Sequence, residues 1–513
     1  MSAGAETARG AGQATGADTV RGARQEPVPT GTGVSAGAHP ALSLRAALAR
    51  LRETTPGAVL TRPDPLAPEA VAGDFAERYA GVPAVGVARP EPAVLYTGVA
   101  GHRTPVLLGL YGDDERLYDW LPGLPWALTP AAVAALVRAA RAPVQVTGAP
   151  VQQLTAEGAE VDLRRLPVLT TTPRDAGPYL TAALIHAQDP VTGESSLSAH
   201  RMLVLDRDRL AVWIVPGRQL GLLYERALER GGRLAVTVSI GVPPAALVAS
   251  AVNSRFLPAG LSKLALAGAL AGRPLTLAAG RTQPASGLAE AEIVLEGHLD
   301  GTLADEALGG AEPGLSLPEF LGYDGRARAG LPVLTVTAVT TRRDPLYQAV
   351  IGPGREQSHL LGAAGALSVA LSLPQTPALA VQDLHLSPAG GGMLLLAVAV
   401  RKERPEADRQ LNALAEDILT RHPFVKTVVL TDEDVAIRCA EDLLWALTTR
   451  SNLAADTTEW TRLPPVPMDP SQTPEWALAR GHRGGIPGRT AIDATTPFAL
   501  RARTARSFGP GTT

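Results

Sequence analysis

A mixed α/β (α+β) chain in three structured parts is predicted by three observations. Amphipathic helices mix with short strands between residues 41 and 162. Short apolar strands, closely punctuated by Gly and Pro, dominate residues 163–330. From residue 331 to the end at 513, strands and helices alternate. Ahead of these parts, residues 1–40 are rich in Ala, Gly and Thr and hold no aromatic residue and no apolar block. Such a composition cannot bury enough apolar surface to fold, so a disordered tail is expected there.

Taken in order, residues 42–54 and 130–142 carry apolar side chains at helical spacing, and residues 93–96 and 106–111 read as short strands joined by a Gly-containing turn. In the second part, residues 202–205, 211–215, 234–239 and 275–278 are apolar runs of strand length. Residues 219–231 form a helix candidate that ends in Gly-Gly, a common helix stop. In the third part, a strand at 333–339 precedes a helix from about 356, a strand at 393–400, a helix at 406–420 and a strand at 427–430. That rhythm argues for a sheet covered by helices.

Composition excludes several function classes. A hydrophobic share of 45% with 19% charged residues fits an ordinary soluble globular protein, and 513 residues suffice for two or three domains. A net charge of −3 provides no global basic field of the kind nucleic-acid binders use. The single cysteine, Cys439, cannot build an intrachain disulfide framework and fits a reducing cytoplasm. The longest apolar run, near residues 264–271, lies between Lys263 and Arg273 and is too short to span a bilayer. The N-terminal segment lacks the apolar centre of a secretory signal. A cytoplasmic protein without nucleic-acid or membrane partners is expected.

Six stretches carry a family resemblance. The first runs from Asp162 to Pro167 and continues in Asp175-Ala-Gly-Pro-Tyr179; the second is Ser196–Arg201, at the end of the segment DAGPYLTAALIHAQDPVTGESSLSAHR. Ser239-Ile-Gly-Val-Pro-Pro244, Ala291-Glu-Ile-Val-Leu-Glu-Gly297 and Thr340-Thr-Arg-Arg-Asp-Pro-Leu-Tyr347 follow. The last comprises Thr431-Asp-Glu-Asp-Val435, Trp445-Ala-Leu-Thr-Thr-Arg450 and Ile492-Asp-Ala-Thr495. In this order and spacing they resemble the UbiD-type decarboxylases, the polyprenyl-hydroxybenzoate carboxy-lyase family. Most of these residues read as structural: Ile293, Val294 and Leu295 as core, and Asp344, Asp432 and Asp434 as turn or cap residues. The resemblance implies an N-terminal α/β portion, a split β-barrel that binds a flavin, and a C-terminal α/β domain through which a homodimer or higher homo-oligomer forms.

It also implies a chemistry. Loss of CO2 from an unsaturated acid leaves an electron pair that no side chain can accept, so a cofactor must supply the sink. In this family that cofactor is prenylated FMN, delivered by a flavin prenyltransferase, and the substrate is an aromatic or α,β-unsaturated carboxylic acid. Arg201 matches the family's carboxylate-holding arginine; its planar fork of donors suits a carboxylate, and a structural ion pair is the alternative. Glu319, within Gly314-Leu-Ser-Leu-Pro-Glu319-Phe-Leu-Gly-Tyr323, matches the proton donor of the pattern E-G-P-F-G-E-x-x-G-Y, with a surface-loop glutamate as the alternative. The strand residues Ser196, Ser198, Ala199 and His200 are expected along the cofactor.

The sequence departs from the family at two places. The first glutamate of the acid pattern falls on Gly314, with Glu312 as the nearest replacement, so the family's Arg–Glu–Glu network is expected to be incomplete. At the metal site, Ser196, Arg218 and Lys263 stand where the family has an asparagine, a histidine and a glutamate that bind a divalent ion, usually manganese. Arginine and lysine present no free lone pair at neutral pH, so no metal site is expected. Both changes add positive charge where a phosphate must be neutralised, and Arg218 and Lys263 are expected to bind the cofactor phosphate directly. Three functions stay open at this point: an active carboxy-lyase, an inactive homologue kept for binding or assembly, and a protein that uses plain FMN.

Overall fold

The computed structural model describes residues 42–84, 90–306, 312–374, 376–482 and 485–507. The tail expected over residues 1–40 lies outside them. Among the described residues the strands form four sheets, of four, nine, three and five strands, and the three-stranded one joins Ser286–Leu288, Thr276–Ala279 and Val144–Val146. The four-stranded sheet runs in the order Val59–Arg62, Ala93–Tyr96, Val106–Leu108, Tyr347–Gln348. Helix Leu44–Thr54 buries Leu44, Ala47, Leu48 and Leu51, the stripe its spacing predicts, and Ser43 Oγ caps it by accepting from Ala46 N–H at 3.1 Å. Among the described residues six helices were not foreseen: Pro68–Arg78, Glu115–Trp120, Pro244–Ala251, Lys263–Leu270, Ala440–Thr449 and Pro474–Ala479. Pro68–Arg78 and Pro244–Ala251 both start with proline in the first turn, where its missing N–H costs nothing.

The central sheet has nine strands. Its path is Tyr179–Leu180, Met202–Val204, Arg209–Val212, Leu331–Thr341, Ile293–Ala304, Leu234–Ile240, Leu184–Gln188 and Ser195–Ala199, with Leu154–Glu157 also paired to Leu331–Thr341. Ser195–Ala199 and Met202–Val204 lie near opposite ends of this path, yet only His200 and Arg201 separate them. The three steps from Ala199 to Met202 span at most about 11 Å, so the sheet must curl until its ends approach. His200 and Arg201 sit at that closure.

The strand beginning at Leu331 pairs with Ile293–Ala304 from Thr341 to Leu331, and so belongs to the central sheet. The change to the C-terminal part therefore falls after it, at helix Arg355–Ser372, and not at residue 331. Periodicity identified the strand but carries no information about its partner. The C-terminal sheet has five strands, ordered Leu379–Leu386, Leu395–Lys402, Thr427–Asp432, Arg489–Ala494, Thr457–Trp460, with helices Ala407–Arg421 and Ala440–Thr449 packed on it. Asp432 and Asp434 are more than turn residues there, because both accept from Arg450, at 3.0 and 2.6 Å.

Three of the recognisable stretches meet at one buried carboxylate. Glu292 N–H donates to Ile240 O, Arg342 N–H donates to Glu292 O, and Glu292 Oε2 accepts from Leu346 N–H at 3.0 Å. Arg45, from the first helix, clamps the same carboxylate at 2.9 and 2.8 Å. Gly241 faces it at φ +67°, where an added Cβ would lie 2.6 Å from Glu292 Cγ. These motifs are thus a structural junction, while Ile293, Val294 and Leu295 fill the core as expected. Among the described residues no helix is long and apolar enough to cross a membrane.

Candidate active site

Arg201 leaves the barrel closure with its guanidinium held between two carboxylates. Nη2 donates to Glu306 Oε2 at 3.0 Å and Nη1 donates to Glu319 Oε1 at 3.2 Å. Glu306 is 1% exposed, and its remaining capacity is filled: Oε1 accepts from Tyr179 OH at 3.2 Å and Oε2 from Arg328 N–H at 3.1 Å. Buried and fully bonded, it acts as a fixed anion that aims the arginine. Glu319 has only the one contact to Arg201 through its side chain and is 18% exposed, so it alone of the pair can reach incoming substrate. Arg201 Nε is buried without a partner, a donor left for a ligand.

The expected incomplete network is corrected here. Gly314 lies in an exposed turn at φ +86°, and Glu312 is exposed with its carbonyl accepting from Leu315 N–H. Among the described residues it is Glu306, not Glu312, whose carboxylate joins Glu319 at Arg201. Sequence reasoning missed it because it sought the acid within the local pattern, whereas Glu306 sits two residues past strand Ile293–Ala304. The only signal was a charged residue at the end of a long apolar strand.

The second half of the site lies on the other side of the closure. Ser196 is buried in its strand, Ser198 is half-buried and Ala199 is exposed. His200 Nδ1 lies 2.9 Å from Trp213 O, which can only accept, so in the neutral ring Nδ1 carries the proton and Nε2 accepts from Ser198 Oγ at 2.8 Å. Burial first, and then the nearby charges of Lys263 and Arg218, push the His200 pKa down to about 4. Lys263 opens helix Lys263–Leu270, which Ser262 caps, and its Nζ donates to Ser250 O at 2.6 Å. Burial and then Arg218 push its pKa down to about 7. Arg218 stands at the N-cap of helix Gln219–Glu229, and burial lowers its pKa too. Among the described residues no carboxylate pairs with either cation.

This donor set does not fit a divalent ion: one hydroxyl and two cations occupy the three positions, and the described residues hold no cluster of three His, Cys, Asp or Glu side chains. It does fit an anion. Arg218 and Lys263 each stand at the N-terminus of a separate helix, where the backbone N–H groups and the helix dipole also favour negative charge, and the charge of Arg218 acts on Lys263.

Comparison with known proteins places this geometry. Residues 143–356 match the 3-octaprenyl-4-hydroxybenzoate carboxy-lyase Rift-related domain, UbiD, and residues 359–494 match the C-terminal domain of the same carboxy-lyase. The gallate decarboxylase of Lactiplantibacillus plantarum is 31% identical over 423 residues, 80% of this chain and 85% of the relative. The 3,4-dihydroxybenzoic acid decarboxylase AroY of Klebsiella pneumoniae, solved in its apo form, is 31% identical with a TM-score of 0.81, over 91% of this chain and 97% of its own. HmfF of Pelotomaculum thermopropionicum, solved as an evolved dimeric form in complex with prenylated FMN, is 29% identical with a TM-score of 0.74, over 92% of this chain and 98% of its own.

Proposed function

The chain belongs to the UbiD family of carboxy-lyases, and from that premise we propose that it is a non-oxidative decarboxylase of an aromatic carboxylic acid that works with prenylated FMN and without a metal at the phosphate. The observation that carries this reading is Arg201 held between Glu306 and Glu319, since a complete triad is what the reaction requires of the protein. Support for the substrate class comes from relatives that act on gallate and 3,4-dihydroxybenzoate, and for the cofactor from HmfF.

When bound, prenylated FMN supplies the electron sink for the pair released as the C–C bond breaks. Arg201 orients the substrate carboxylate, and Glu306 keeps the arginine aimed. Glu319 in its acid form gives its proton to the carbon that CO2 has left, so the net change is RCOO⁻ + H⁺ → RH + CO2. At the other end, Arg218 and Lys263 bind the cofactor phosphate, with Ser196, Ser198, Ala199 and His200 along the cofactor. A flavin prenyltransferase is the supplier, and the C-terminal part forms a homo-oligomer.

Coexpression with a flavin prenyltransferase tests this. The bound cofactor, identified by absorbance and mass, should be prenylated FMN, and the protein should release CO2 from 3,4-dihydroxybenzoate or gallate. A flavin-free protein, or a loaded one inert on both acids, would overturn it.

A further inference from the structure

Glu319 is carried by a turn that closes on itself. Glu319 N–H donates to Tyr323 O at 2.8 Å, Gly322 N–H donates to Glu319 O at 2.9 Å, and Leu315 bridges Arg326 behind it. No helix or regular strand holds residues 316–325, so their position is set by what they touch. Leu317 packs with Tyr179 and Leu203 of the central sheet and Asp324 pairs with Arg174 at 2.8 Å; further contacts come from other regions. Gly322, at φ +88°, lies so close to Pro83 that an added Cβ would sit 2.8 Å from its Cγ, and 3.9 Å from Pro353 Cβ. Phe320 meets the C-terminal sheet. It is 6% exposed, and its ring stands edge-on to Phe424 with centroids 6.1 Å apart at 76°. Gly391, at φ +66° between strands Leu379–Leu386 and Leu395–Lys402, presses on the same ring: an added Cβ would fall 2.7 Å from Phe320 Cδ2 and 3.1 Å from Phe320 O.

We propose that Phe320 is a positioning residue, whose ring, seated between Gly391 and Phe424, ties the Glu319 turn to the C-terminal sheet and so places the acid beside Arg201. The proposal rests on Glu319 being the proton donor. The two carboxylates of the triad are fixed by different means. Glu306 is bonded to Tyr179, in a strand of the central sheet, and to Arg328, just ahead of strand Leu331–Thr341, and needs nothing from the C-terminal part. Glu319 has a single 3.2 Å side-chain bond and follows its turn. Loosening Phe320 should therefore spare carboxylate binding by Arg201 and impair proton delivery, a split that general destabilisation would not produce.

The test uses the full-length, flavin-loaded protein and the variants F320A, G391A and F320L. G391A attacks the contact from the other side and leaves the turn's own sequence intact; F320L retains apolar bulk. Turnover of an accepted acid is measured together with hydrogen–deuterium exchange of peptides covering residues 316–328. F320A and G391A should each lower kcat roughly ten- to hundred-fold, the scale of a misplaced reacting group, with KM within about two-fold. F320L should recover most of the loss. Exchange over residues 316–328 should quicken in both alanine variants while peptides of the central strands are unchanged. Unchanged exchange at 316–328 in both variants, or kcat lost with a matching rise in KM, overturns the proposal. A wild-type protein that is inert on every acid while exchange still quickens would sink the decarboxylase reading alone and leave the tie standing.

Discussion

Glu306 and Arg201 lie 105 residues apart in the chain and meet at 3.0 Å, with the carboxylate closed off from solvent by Tyr179 OH and the Arg328 amide. The pair makes the guanidinium a fixed tool and leaves Glu319 free to exchange partners. Removing Glu306 leaves Arg201, only 10% exposed, with Glu319 as its remaining carboxylate partner. Leaving a buried charge with no partner costs about 3–5 kcal/mol; with Glu319 still bonded, E306A should cost less than that yet lower the unfolding temperature, and E306Q, of equal size, should lower it less. Both should raise KM for the acid more than they disturb flavin retention. Thermal unfolding and steady-state kinetics on the same samples check this.

Glu319 is expected to act in proton transfer alone. E319Q keeps the shape and a hydrogen bond to Arg201 but cannot give up a proton. It should lower kcat roughly 100- to 10,000-fold, the usual worth of general acid catalysis, while flavin content by absorbance stays at the wild-type level.

Arg218 and Lys263 should together carry the phosphate. A hydrogen bond to a charged group contributes about 1.5–3 kcal/mol, so the double variant R218A/K263A should lose roughly 100-fold or more in flavin affinity. Chelator should leave flavin retention in the native protein unchanged. Titration followed by flavin fluorescence, with and without EDTA, distinguishes this from a metal-bridged phosphate: chelator-sensitive retention would sink the assignment.

Lys263 also predicts a pH dependence of known sign. Its folded pKa is pushed down to about 7 by burial, against 10.5 when exposed. Between these values the unfolded chain binds the proton and the folded one does not, so Lys263 makes stability rise with pH over that window and fall as pH drops toward 7. K263M should flatten that slope in denaturant titrations from pH 7 to 10. Flavin affinity should run the opposite way, weakening above pH 7 as the ammonium is lost, and K263M should remove this dependence.

Much of the fold was legible because its signals are local. The stripe Leu44–Leu51 and the strands near 93, 234 and 427 report contacts repeated every few residues, and the core at Ile293–Leu295 follows from the same alternation. Arg201 and Glu319 were found through the local patterns around them, and so were Ser196, Arg218 and Lys263. The partner of strand Leu331–Thr341 was not legible, since a strand's own sequence does not say which edge it will join. Nor was helix Pro244–Ala251, whose apolar run matches strand and helix alike.

By itself the sequence determined the family and the mixed α/β character, and it singled out Arg201 and Glu319 as well as Ser196, Arg218 and Lys263. Each is written in residue identity or short-range spacing. Only the tertiary structure brought Glu306 to Arg201 and the Phe320 ring to Phe424. These contacts reach across 105 and 104 residues, from Arg201 to Glu306 and from Phe320 to Phe424. Such pairings follow from how the central sheet curls and where the C-terminal sheet docks. Those are properties of the packed whole, and no local pattern of apolar and polar residues encodes them.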